Sequence, residues 1–352
     1  MGQLKKTKYL KWFRLAYVIL PVAGIINIIF SPLIRSIINR QFNKIRGFSG
    51  GISGLKIGIL EGYIECSGFY FDRVDTMVGP QLKFISVKTA RINFDKKSLW
   101  NGIIKFGVYA DSPIVILMKD MKGISISNFN QDIEVVFTDC TLHNGTIKYI
   151  DNSLTPTVEI AVNQIEVNGI NGPYKEEITD QLPFEAKISA TIYEGLLDAN
   201  IKANITASNP VFDLTTQIRG VDISKLNGLL DAYAHFTVNK GRFDVFSEIA
   251  AKDGHFKGYV KPIIEGLEFI GPKDKHDGIG RLLWEGLLGT LTEIFKNHSQ
   301  DEIATKVNIE GTFKDPKVNI WYAIGETLKN AFVHGLCACI DHEISLSSVT
   351  KG

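Results

Sequence analysis

The chain has little cysteine, no excess of charge of either sign and no standard cofactor or metal motif. Each shortage excludes a class of function. Cys66, Cys140, Cys337 and Cys339 are the only cysteines in 352 residues, too few and too scattered for a disulfide scaffold. Basic and acidic side chains number 39 and 38, a formal net charge of +1, whereas a nucleic-acid binder would carry a basic excess or stripe. No P-loop, G-x-G-x-x-G, H-E-x-x-H or EF-hand pattern occurs, so neither a cofactor nor a metal is expected. Proline (11) is scarce beside glycine (32), and many glycines stand between apolar stretches, where strands would turn.

Only one long hydrophobic run is present. Lys5, Lys6, Lys8, Lys11 and Arg14 precede an uncharged stretch from Leu15 to Ile34. As a helix this stretch is about 30 Å long, the thickness of a bilayer core. Tyr9, Trp12 and Tyr17 lie where an aromatic belt would. A cleaved signal peptide would have a shorter apolar core and a small-x-small site after it; Arg-Ser-Ile-Ile-Asn-Arg follows instead. Residues 1–45 therefore read as a basic N-terminus and transmembrane anchor. The basic residues on its two sides give a weak bias toward the N-terminus inside.

Residues 46–352 read as one elongated β-rich domain of about seventeen short strands. In ANIKANIT, Ala199, Ile201, Ala203 and Ile205 share one parity, and Asn200, Lys202, Asn204 and Thr206 the other. FEAKISATIY repeats the pattern with Phe184, Ala186, Ile188, Ala190 and Ile192, and GRFDVFSEIA with Phe243, Val245 and Ile249. Such alternation predicts strands with one apolar and one wet face. Strands are expected at 83–94, 105–118, 132–143, 145–150, 156–168, 183–193, 195–206, 211–219, 234–239, 241–250, 255–263 and 303–313. Short connections such as Tyr193-Glu194-Gly195 predict antiparallel neighbours. Helical spacing of leucines predicts helices near 223–233, 278–296 and 318–340.

Candidate chemistry is thin. Gly47-Phe48-Ser49-Gly50-Gly51 matches G-x-S-x-G, but a nucleophile elbow needs a strand before the serine and a helix after it, and here a strand follows. His334, Cys337, Cys339, Asp341 and His342 are metal-ligand types. On one helix His334 and Cys337 lie within about 60°, whereas Cys339 is about 140° away. That spacing fits no standard zinc site and favours a structural or disulfide role. Nothing in the sequence supports an enzyme.

Several segments resemble the AsmA-like family. They are the anchor with GFSGGISGLKIGILEGYIECSGFYFD, then ARINFDKKSLWNGIIKFGVYADSPIVIL, and toward the C-terminus GVDISKLNGLLDAYAHFTVNKGRFDVFSEIAAKDGHFKGYVKP, LLWEGLLGTLTEIFK and IATKVNIEGTFKDPKVNIWYAIGETLKNAF. The likeness is strongest to the short membrane-anchored branch. It implies a single-pass bacterial inner-membrane protein with its bulk in the periplasm. The body would be a mainly β, long, bent antiparallel sheet, groove- or taco-like, with a few amphipathic helices. The implied partners are the membrane and phospholipid acyl chains, in support of outer-membrane homeostasis, with no nucleic acid. Phe184, Ala186, Ile188, Ile192, Ile201, Ile205, Phe243 and Val245 are then expected to line an apolar lipid-contacting groove. The alternative is a non-enzymatic assembly factor that binds envelope proteins through its sheet edges.

Overall fold

The structure is a computed structural model. It describes residues 30–45, 47–58, 60–73, 82–100, 103–118, 134–153, 157–172, 181–205, 207, 209–234, 237–269, 302–304, 306–313 and 338–349. The protein is mainly β and divides into two compact units. Unit 1 comprises Met1–Leu117 with Lys122–Ile147; unit 2 comprises Met118–Met121 with Lys148–Gly352.

In unit 1, β1 (Phe48–Gly51) and β2 (Gly54–Gly58) both pair antiparallel with β3 (Tyr63–Arg73). β4 (Leu82–Phe94), β5 (Ile103–Met118) and β6 (Glu134–Asp151) follow in order. Helix α1, described over 30–42, packs on β1 and β3, and α2 (Lys96–Trp100) joins β4 to β5. One pairing departs from the expected antiparallel pattern. Phe106 lies against Phe137, Gly107 faces Asp139, and Asn144 Nδ2 donates to Ser112 Oγ. The partners advance together along both strands, so β5 and β6 run parallel.

Unit 2 is an antiparallel series of β7 (Val158–Asn171), β8 (Phe184–Ile192), β9 (Gly195–Ala203), β10 (Phe212–Asp222), β11 (Val238–Lys252) and β12 (His255–Phe269). β13 (Glu302–Ala304) and β14 (Val307–Thr312) both pair with β12. A 3-10 turn (Ile223–Leu226) and α3 (Asn227–Ala234) occupy the place of the helix predicted at 223–233. Ile223, Leu230, Val238 and Ile264 form a closed core there, with Leu226, Phe243 and Leu267 against it. Asn227 fixes the start of β11 by donating from Nδ2 to the Val238 carbonyl and accepting from the Val238 amide, both at 2.8 Å. α3 also touches β7.

Two breaks expected in strands are absent. β6 runs through Asn144 with a positive φ of 52°, and β11 runs through Gly241 with register shifts on either side of Lys240. The helix predicted at 278–296, residues 318–337 of the last one, and residues 15–29 of the anchor lie outside the described residues; 338–340 are not helical. Among the described residues no helix is long and apolar enough to cross a membrane.

Candidate functional site

Register turns the alternation of single strands into continuous faces. In unit 2, Val167, Ile188, Ala199, Thr216, Ser247, Val260 and Val307 form one transverse row across seven strands. The next row is Gly169, Ala186, Ile201, Leu214, Ile249, Gly258 and Ile309. A third runs Phe184, Ala203, Phe212, Ala251, Phe256 and Gly311, with large and small side chains in turn. All three rows lie on one side of the sheet, because paired residues point the same way.

Burial on this face is uneven. Ala186, Ala190, Ala199, Ala203 and Ala251 are buried, screened by larger neighbours in their own rows. The larger Ile188, Ile201, Leu214, Ile249 and Phe256 remain half-buried. Beneath α3, by contrast, Ile223, Val238 and Ile264 are buried, as in an ordinary core. Large apolar side chains of a covered core are normally buried outright.

The eight residues expected to line a groove fall into three groups. Phe184, Ala186, Ile188, Ile192, Ile201 and Val245 lie on the open rows or at their ends: Ile192 closes β8 opposite Gly195, and Val245 pairs with Ile218 and Pro262. Phe243 is on the same side but packs into the core under α3. Ile205 lies past the end of β9 and is 46% exposed, because the strand stops at Ala203.

Unit 1 carries a comparable face that single-strand reading did not assemble. Ile57, Ile64, Ile92 and Val108 form one row, and Leu55, Cys66, Ala90 and Ala110 the next. Ile64 and Ile92 are 36% and 37% exposed. Burial pushes the Cys66 thiol up, which keeps it protonated and inert. The opposite face is a polar ladder of Lys56, Glu65, Arg91 and Tyr109. Arg91 and Lys56 both donate to Glu65, and the Arg91 bond holds that carboxyl below its ordinary range.

The wet face expected of β11 and β12 is instead covered. Residues 338–349 cross it, and Ile340 packs on Phe246 and Ile263. Lys261 is wholly buried and donates to Asp341, which also accepts from Lys306 Nζ at 2.8 Å. Glu248, also buried, accepts from the Glu343 amide at 2.9 Å. The Asp341 amide donates to the Tyr259 hydroxyl at 2.9 Å. Burial pushes the Tyr259 phenol up to about 12. A buried lysine beside a tyrosine invites a catalytic reading, but Lys261 and Lys306 are paired with Asp341 and Glu343, and Glu248 is held by backbone amides of the tail. It is a clamp for the tail.

Three further features bear on candidate chemistry. A cleft of about 880 Å³ lies where Gly220, Gly241 and Gly266 bend three adjacent strands. Its cation Arg242 is committed to Asp244 and Glu265, and Lys240 to Glu268. Ser49 sits inside β1 opposite Asp72, so the G-x-S-x-G match forms no elbow. Cys339 is disulfide-bonded, and among the described residues no group of His, Cys, Asp and Glu could hold a metal ion.

No family model and no curated protein matches the chain.

Proposed function

We propose that this is a membrane-anchored envelope protein of the AsmA-like kind whose apolar sheet face holds phospholipid acyl chains. One observation carries the reading. Mostly apolar rows run in register over seven strands of unit 2, and their large side chains Ile188, Ile201, Leu214, Ile249 and Phe256 stay only half-buried. An apolar surface of that extent is costly in water and is retained where a ligand or partner covers it. Acyl chains suit it, since they need no hydrogen-bond partner and tolerate a corrugated Ala, Ile and Phe surface. The anchor at 15–34 and the periplasmic location of the body belong to the same proposal.

The test uses the full chain in cells with a photo-crosslinking side chain at Ile201 or Ile188, and at Lys202 or Lys187 on the other parity. Phospholipid is expected on the first pair alone, identified by mass spectrometry. Equal capture on both parities, or none from a folded protein, defeats the reading and leaves strand addition by an envelope protein ahead.

A further inference from the structure

Helix α1 is built inside-out. At about 100° per residue, Ser31, Arg35, Asn39 and Phe42 share one side, and Phe30, Leu33 and Ile37 fall within about 60° on the other. The first side holds the sheet. Arg35 Nη1 donates to the Ser53 carbonyl at 2.7 Å. Asn39 donates to the Ile52 carbonyl and accepts from its amide, at 3.1 and 2.8 Å. Phe42 meets the rings of Phe69 and Phe71 at 5.6 and 6.1 Å. Gly50 and Gly51 permit this approach: a Cβ on Gly50 would lie 3.2 Å from Phe42 Cβ, and one on Gly51 would lie 2.9 Å from Asn39 Oδ1. The mostly polar side thus faces protein. Phe30, Leu33 and Ile37 point away from it, 51%, 57% and 56% exposed.

A soluble helix places its apolar stripe the other way round. From these contacts we infer that Phe30, Leu33 and Ile37 are inserted in a lipid bilayer while the other side of α1 remains fixed to β1 and β3. α1 is then a rigid joint that seats the β1–β3 end of unit 1 against the membrane surface. Two features select a bilayer as the occupant. The stripe directly continues the uncharged run that starts at Leu15. The next turn brings the exposed cations Arg40 and Lys44, suited to anionic headgroups about 5–10 Å from Ile37. The inference rests on the proposed anchor at 15–34, though not on whether the sheet faces hold lipid.

The experiment places an NBD fluorophore on single cysteines at Leu33→Cys, Ile37→Cys or Asn43→Cys, in full-length protein carrying Cys66→Ala, Cys140→Ala, Cys337→Ser and Cys339→Ser. The protein is reconstituted in mixed phosphatidylcholine–phosphatidylglycerol vesicles. Quenching by a spin-labelled lipid is compared with quenching by a water-soluble ion. Lipid quenching is expected to dominate at positions 33 and 37, and aqueous quenching at 43. Aqueous quenching at all three sites overturns the inference. Shielding of 33 and 37 from both quenchers also overturns it, because protein then covers the stripe. Since both side chains point away from the sheet, the labels leave the contacts of Arg35, Asn39 and Phe42 in place. Crosslinking at Ile201 reads the lipid face separately.

Discussion

Lys261 and Asp341, eighty residues apart in sequence, meet as an ion pair whose lysine is fully buried. The pair joins the central hairpin of unit 2 to the tail that crosses it. Removing one partner strands the other, which costs far more than exchanging both for apolar groups. Asp341→Ala should therefore destabilise the protein by about 3 kcal/mol, the lower end of the usual range because Asp341 is only partly buried. Lys261→Met should cost less than half of that, since Asp341 keeps Lys306. Urea unfolding of both variants measures the difference.

Stability should fall at both ends of the pH scale. Burial raises the Asp341 carboxyl, but hydrogen bonds from Lys261 and Lys306 outweigh it and hold the group below the ordinary range. Asp244 is likewise held down by Arg242 and the Gly220 amide against its own burial. A depressed carboxyl stabilises above its unfolded pKa, near 4, and loses that contribution as the pH drops through the folded value. Tyr259 has the opposite sign: its folded pKa of about 12 exceeds the unfolded value of about 10. Its contribution is complete below pH ~10 and lost as the pH rises through the folded value. Ultraviolet titration should show a late phenolate step near pH 12 that Tyr259→Phe removes, while the smaller delay that burial gives Tyr193 persists.

Two small residues on the same apolar face should respond differently to enlargement. Ala199 lies between Ile188 and Thr216 on an open row. Ala199 is itself buried by those neighbours, but a longer side chain can extend past them over the open face, so Ala199→Leu should cost less than about 1 kcal/mol, below the usual overpacking range. A Cβ on Gly258 would come within 2.3 Å of the Glu248 carbonyl oxygen and 2.9 Å of Ile249 Cα, both backbone atoms. Gly258→Ala should cost about 1–3 kcal/mol through overpacking. Similar losses from both variants in thermal unfolding would mean that the face is a covered core.

Asn39→Ala removes two hydrogen bonds to Ile52 and should cost about 1–2 kcal/mol. The loss should be local. Amide exchange should accelerate over residues 48–52 and at the end of β3, while β8 and β9 keep their protection.

Most of unit 2 was legible because its strands alternate strictly and their connections are short. Glu185 pairs with Lys202, and Ala186 with Ile201, as a tight Tyr193-Glu194-Gly195 turn requires. Where the residue type suggested an interruption, the chain continued: Asn144 takes a left-handed backbone inside β6, and Gly241 absorbs a bulge inside β11. The parallel β5–β6 pair had no local signal, since its partners are joined through the long connection 119–133. The clamp was hidden for a different reason. Lys261 and Glu248 stand at positions that alternation assigns to water, and only the distant tail reveals that they are buried. The apolar face of unit 1 needed register, because Cys66 and Ala90 are too small to mark a face by themselves.

The clamp also sets an order of events during biogenesis. Lys261 leaves the ribosome eighty residues before Asp341. At about 5–20 residues per second, the wait is roughly 4–16 s. Throughout that interval the β11–β12 hairpin presents an unneutralised lysine and an unsatisfied Glu248. Unit 2 therefore cannot reach its final form strand by strand as it emerges. The buried charges of the β11–β12 hairpin find their partners only once residues 338–349 have been made.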